Sequence, residues 1–203
     1  MTKIEATGVG KFFRRAERAT VSANIKAGSP DRAESVREAA RLHAAVVARA
    51  QSLQQAGAAT SYEATPLSTY EWSDDANPRR FATTATIQVT LQDLDLVSSL
   101  TTELADEGVT ATVAWALTDE TRRDRERAAR QEAVRQSRTV ADDYAEALGQ
   151  KVVEVVSVTD QWQGFGPAAR FMAADAGLFA GPVEVTVPDI EVSATVVATY
   201  SAE

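Results

Sequence analysis

Runs in which apolar and polar residues alternate one by one return four times along this chain. A chain built from such runs must cover one face of a sheet and leave the other to water. Ala19, Val21, Ala23 and Ile25 alternate with Arg18, Thr20, Ser22 and Asn24. Phe81 to Leu91, Val109 to Leu117 and Ile190 to Tyr200 repeat the pattern, which is the spacing of a half-buried strand. Residues 3–13, the Val-rich Lys151 to Thr159, and Val183 to Val187 read as further strands. Thr60 to Tyr70 is polar and extended, and Pro66 marks it as an edge. Lys11 to Glu17 is expected at the end of a hairpin joining the first two strands.

Three segments change to helical spacing, and each stops at a glycine. The first enters at Gly28-Ser29-Pro30-Asp31, with Ser29 as the expected N-cap and Pro30 in the first turn. Its stripe is Ala39, Leu42, Val46, Ala50 and Leu53, and Gly57 ends it. Leu94 to Glu107, with Asp93 and Asp95 as expected caps, ends at Gly108. Asp119 to Leu148 carries a thin stripe of Ala129, Ala133, Val140, Tyr144 and Leu148, with opposite charges at Asp119-Arg123, Glu126-Arg130 and Arg138-Asp142. The order β-β-α-β-β-α-β-α-β-β predicts an α+β fold, a largely antiparallel sheet with helices packed on one face. A single domain over residues 1–203 is expected, with an irregular insert at about 161–181.

Composition removes much chemistry. No Cys means no disulfide, zinc-thiolate site, iron–sulfur cluster or thiol nucleophile, and one His makes an imidazole-rich metal site untenable. A net charge of −8 argues against nucleic acid as a partner. No run approaches the roughly 20 apolar residues of a membrane span. Met1-Thr2-Lys3 leads directly into alternating residues rather than an apolar leader, so the expected location is the cytoplasm.

The motifs that suggest chemistry have simpler structural readings. Gly8-Val9-Gly10-Lys11 resembles part of a phosphate loop, but Glu5 and Phe12 stand where that loop needs Gly and Ser or Thr. The two glycines read instead as serving strand packing or a bulge. His43, on the flank of the first helix, reads as a structural histidine. Asp74-Asp75, Asp142-Asp143, Asp93 and Asp95 supply carboxylate pairs, but the spaced ligands of a calcium loop are absent. No cofactor or metal is expected.

Three stretches, in order, resemble the SIMPL-domain family. The first is Ile4-Glu5-Ala6-Thr7-Gly8-Val9-Gly10 followed by Glu17-Arg18-Ala19-Thr20-Val21. The second is Phe81 to Leu91 followed by Asp93-Leu94-Asp95-Leu96-Val97. The third is Ala145-Glu146-Ala147-Leu148-Gly149, Lys151-Val152-Val153 and a final Ile190 to Val196. Arg15-Ala16-Glu17 stands where the family usually has Pro-Pro-Asp, and its usual export signal is missing. The resemblance implies a non-enzymatic α+β module. Bacterial members are often periplasmic or cell-surface proteins linked to stress tolerance, some form ring-like homo-oligomers, and animal members bind a receptor-associated kinase. It carries over no catalytic residue.

The leading expectation is therefore a non-enzymatic protein that self-assembles into a homo-oligomer or binds another protein. Its expected interface joins Phe12, Phe13, Arg14 and Arg15 to Trp162, Phe165, Phe171, Met172 and Phe179, since aromatics and Met are enriched in protein contacts. The alternative is a small-molecule or peptide-binding module using the space between helices and insert. A third reading is a hydrolase using His43 with a Ser and an acid.

Overall fold

The computed structural model describes residues 1–74, 77–161 and 185–203. Their order is β1 (Thr2–Arg15), β2 (Arg18–Ser29), α1 (Arg32–Gln55), β3 (Ala59–Ala64), β4 (Ser68–Asp74), β5 (Asn77–Leu91), α2 (Leu96–Asp106), β6 (Thr110–Ala116), α3 (Asp119–Ala147), β7 (Val152–Asp160) and β8 (Asp189–Ala202). Every strand pairing among the described residues is antiparallel, and the class is α+β. The chain forms two compact units: β1, α3, β7 and β8 build one, and β2 to β6 with α1 and α2 build the other.

The expected hairpin between the first two strands does not form. β1 pairs with β8 along its whole length, from Thr2 opposite Ala202 to Arg15 opposite Asp189, while β2 pairs with β5 and β6. Ala16 N–H donates to Pro188 O and Glu17 N–H donates to Ala116 O, so successive residues join different sheets. Ala16-Glu17 offers no residue suited to the positive φ that a two-residue hairpin turn requires. Three smaller expectations also change. Thr60 to Tyr70 is two strands, β3 and β4, parted around Pro66, and both pair with β5. Of Val183 to Val187, residues 185–187 lie outside any strand, because Pro188 lacks an N–H and restricts the residue before it, while 183 and 184 lie outside the described residues. Ser29 ends β2, and the N-cap of α1 is Asp31, whose Oδ1 accepts from Ala33 N–H at 2.9 Å.

In the second unit the sheet runs β3-β5-β2-β6, with β4 also on β5. Ala19, Val21, Ala23 and Ile25 of β2 and Ala85, Ile87, Val89 and Leu91 of β5 are buried. They share the core with Ala39, Leu42, Val46, Ala50 and Leu53 of α1 and Val97, Leu100 and Leu104 of α2. The α1 stripe is the one its spacing predicts. Buried Thr83 is satisfied by relay: Ser35 Oγ donates to Ala27 O at 3.0 Å, which leaves Thr83 Oγ1 to donate to Ser35 Oγ at 2.8 Å and Thr69 Oγ1 to donate to Thr83 at 3.0 Å. Helix α2 starts later than expected: Asp95 makes no side-chain cap, and Asp93 Oδ1 accepts from Asp95 N–H instead.

In the first unit the sheet order is β1-β8-β7, and α3 lies over β1 and β8. The expected α3 stripe is only half right. Ala129, Ala133, Ser137, Ala141 and Ala145 are buried, whereas Tyr144 and Leu148 are exposed. The reason lies in β1. A Cβ placed on Gly8 would stand 1.9 Å from Ala133 O, and one on Gly10 would stand 2.0 Å from Ala129 O. Helix backbone rests directly on strand backbone, so only small residues fit along the contact. Beyond it, Ile4, Ala6, Ala141, Ala145, Ala198, Tyr200 and Ala202 form a packed cluster. The Tyr200 hydroxyl bonds Ser137 Oγ at 2.8 Å, and the Arg138 guanidinium lies 5.7 Å from the Tyr200 ring centre.

Two stability predictions follow from these contacts. Gly8→Ala should lower the free energy of unfolding by about 3 kcal/mol, because backbone must move to admit the methyl group. Gly28→Ala, where the added Cβ meets nothing nearer than Phe81 O at 3.9 Å, should be neutral within about 0.5 kcal/mol. Ser137→Ala should cost about 1–2 kcal/mol by leaving the buried Tyr200 hydroxyl without its partner, Tyr200→Phe should cost less because Ser137 Oγ still donates to Val134 O at 2.9 Å, and the double variant should cost less than the sum of the two. Denaturant melts of all five proteins beside the wild type check both statements.

Candidate functional site

The end of β1 holds four of the expected contact residues. Phe12 lies opposite buried Val192 and is half-buried itself, whereas Phe13 lies opposite Glu191 and is 64% exposed. Arg14 and Arg15, opposite Ile190 and Asp189, are exposed. Lys11 Nζ stands 3.2 Å from Glu191 Oε1. These residues are therefore presented by a regular strand end rather than by a hairpin tip. Trp162, Phe165, Phe171, Met172 and Phe179 lie outside the described residues.

A second apolar surface, on β7, was not singled out in the sequence. Val153, Val155, Val156 and Val158 are each 48–53% exposed. The β7 register with β8 shifts twice, between Val152 and Glu154 and between Val155 and Ser157. Val152, Val155 and Val158 thus come opposite Ala202, Tyr200 and Ala198, the cluster that α3 covers over β1 and β8 but not over β7. A signal was available: Val-Val-Glu-Val-Val-Ser-Val repeats every three residues, whereas an unbroken half-buried strand repeats every two. At the start of β7, Arg138 Nη2 donates to Val152 O at 3.0 Å while its Nε meets Asp142 Oδ1 at 3.1 Å.

The two edges of this sheet differ in kind. Bulges interrupt ladder pairing on β7, a common protection of an edge strand. β1 pairs with β8 without a register shift over 14 residues. On β1, the Gln136 Oε1 of α3 accepts from Val9 N–H and so occupies one donor of the strand.

The groups with chemical potential are engaged in structure. His43 is half-buried, and its Nε2 donates to the Thr65 carbonyl at 3.2 Å, tying α1 to the β3–β4 connection. Of the expected helix ion pairs, Glu126–Arg130 (3.8 Å) and Arg138–Asp142 (3.1 Å) form, while Asp119 meets Arg122 at 3.9 Å rather than Arg123. Arg41 donates to both Glu38 oxygens, at 3.0 and 2.8 Å, and this hydrogen bonding holds the Glu38 carboxyl below the usual carboxylate range. That pair borders a cleft of about 640 Å³ at the start of α1, lined by Gly28, Ser29, Pro30, Glu34 and Arg37 among others. Among the described residues, no group of three or more His, Asp or Glu is placed to hold a metal ion. Also among these residues, no helix is long and apolar enough to cross a membrane.

No curated protein matches the chain. The family model SIMPL, described as a protein of unknown function (DUF541), matches residues 4–200. That match spans both units, from the glycine strand β1 to the closing strand β8, and the chain belongs to the SIMPL family.

Proposed function

We propose that this chain is a non-enzymatic module that assembles with copies of itself and serves as a structural or protein-binding element. The observation that carries this reading is the row of half-exposed valines on β7, an apolar strip on a strand at the edge of its sheet. Solvated strands usually present charge at such an edge.

Magnitudes indicate how such a contact is built. Covering the remaining surface of one half-exposed valine is worth about 1 kcal/mol, hence about 4 kcal/mol for the four. Association costs about 4–15 kcal/mol in lost freedom, so β7 alone supports only weak pairing. A stable assembly needs Phe13 and the β1 end as well. A contact joining β7 of one copy to the β1 side of the next uses unlike surfaces, and such a heterologous contact yields a discrete ring where the rotation between copies closes and a filament where it does not. Because β7 is bulged, its part of the contact is side-chain packing rather than extension of the ladder.

Absolute mass by light scattering tests the reading. The expected result is a discrete multiple of 21.7 kDa that persists as salt is raised, since an apolar contact is not screened. Val156→Lys with Val158→Lys, and separately Phe13→Ser, should lower that mass while leaving the melting temperature nearly unchanged. A wild-type monomer at 21.7 kDa overturns the proposal.

A further inference from the structure

The second unit presents a strand edge that the self-assembly reading does not use. β6 ends the order β3-β5-β2-β6 and, among the described residues, pairs only with β2. Natural sheets guard such edges with charge, proline or bulges, because unpaired N–H and C=O groups otherwise recruit another strand. The other described edges are guarded. β7 and β3 are bulged against their partners, and β4 shifts register and carries Glu71 and Asp74. β1 carries Lys3, Glu5 and Lys11, and Gln136 occupies its Val9 N–H. β6 reads Thr-Ala-Thr-Val-Ala-Trp-Ala: it holds register with β2 without a shift and contains no charged residue and no proline.

Register fixes which backbone groups this edge leaves unpaired. Thr65 N–H donates to Thr86 O, so even residues of β5 face β3 and β4 and odd ones face β2. The odd residues of β2 therefore face β5, and its even residues face the even residues of β6. The Glu17 N–H that donates to Ala116 O agrees with this. Ala111, Val113 and Trp115 thus aim their N–H and C=O groups away from the sheet. Their side chains share the face of Ala19, Val21 and Ala23, while Thr110, Thr112, Ala114 and Ala116 lie on the other. Helix α2 packs on β6 and β2, and its Glu103 meets Arg49 of α1 at 2.9 Å. The flank of α2 turned from α1, above the open side of β6, carries Thr101 and Ala105. Of the β2 residues opposite β6, only Arg18 is charged. Asp106 and Glu107 precede the strand and Asp119 and Glu120 follow it, all exposed and outside the ladder.

We propose that β6 pairs antiparallel with β6 of a second copy, about a two-fold axis through Val113, so that two sheets become one. This contact lies on the other unit from β7 and does not depend on it. Val113 is the middle residue of the strand, and its backbone groups face outward. Two copies centred there overlap along the whole strand, and every outward N–H of each meets a carbonyl of the other. Val113 pairs with its counterpart, and Ala111 of each copy pairs with Trp115 of the other, a small residue against a large one. On the opposite face Thr112 meets Ala114 and Thr110 meets Ala116, so no like charges stand opposite. The Arg18 residues of the two copies fall at opposite ends of the ladder, about 20 Å apart and beyond a screening length. The carboxylates outside the ladder are exposed, so repulsion at its ends is weak. Every other described edge of the chain brings charge or a bulge, and β6 is the strand that matches β6.

Equilibrium sedimentation of the full chain over a dilution series tests this pairing, in a background of Phe13→Ser, Val156→Lys and Val158→Lys chosen to remove the β7 contact. The expected mass is twice 21.7 kDa. Adding Thr112→Lys with Ala114→Lys sets lysine against lysine across the two-fold and should reduce the mass to 21.7 kDa, with unchanged circular dichroism. Thr112→Glu with Ala114→Glu should do the same alone. Mixing the lysine and glutamate variants should restore the dimer, because each lysine then faces a glutamate. A monomer in the starting background overturns the proposal and leaves the edge to an extended peptide of another protein. A dimer that survives the lysine changes overturns it too, as does a mixture that stays monomeric. Failure of the β7 reading looks different: the wild type is then already a dimer, and the background substitutions leave its mass unchanged.

Discussion

The approach of α3 to β1 sets the terms for everything else in the unit they share. Gly8 and Gly10 remove the Cβ layer that normally separates a helix from a sheet, and Ala133 and Ala129 carbonyls stand where those methyl groups would be. A contact this close admits only a ridge of Ala and Ser on the helix, which explains why a helix of 29 residues buries so little side-chain volume. Much of what holds it is dispersion between closely packed backbones, assisted by the buried Ser137–Tyr200 hydrogen bond.

Seating the helix over β1 and β8 has a consequence on the far side of the sheet. β7 receives little cover, and its valines remain half exposed. The two bulges dispose the strand so that Val155 and Val158, following the partly buried Val152, continue the apolar face of β8 past the limit of the helix. The unit therefore joins a tightly covered edge at β1 to an apolar, irregular edge at β7.

The other unit settles the same problem of two-sided strands differently. Its helices cover one face with Leu, Val and Ala, and the opposite face carries Thr, Asn and charged residues with two aromatic rings at one end. Apolar edge on one unit and polar face on the other are distinct chemistries. His43 is committed to a backbone carbonyl, Asp93 to the Asp95 N–H ahead of α2, and Asp142 to Arg138.

The local levels of this fold were legible in the chain. Period-two runs located β2, β5, β6 and β8, three-and-four spacing located the α1 stripe residue for residue, and glycines marked the helix ends. Those features depend on backbone geometry within a few residues, which local sequence encodes directly. The exposure of the β7 valines was not legible, because exposure depends on where a distant helix comes to rest. Strand partners were hidden for the same reason. Alternation states that a strand has a wet and a dry face, not which neighbour it joins, and β1 found β8 nearly the whole chain away. The sequence by itself determined the class, most of the elements, the faces of β2, β5 and α1, and the family; only tertiary structure decided the two units, the face α3 buries, the backbone contact at Gly8 and Gly10, and the exposed apolar edge. Each of these depends on long-range contacts whose energy is shared among residues that no local pattern links.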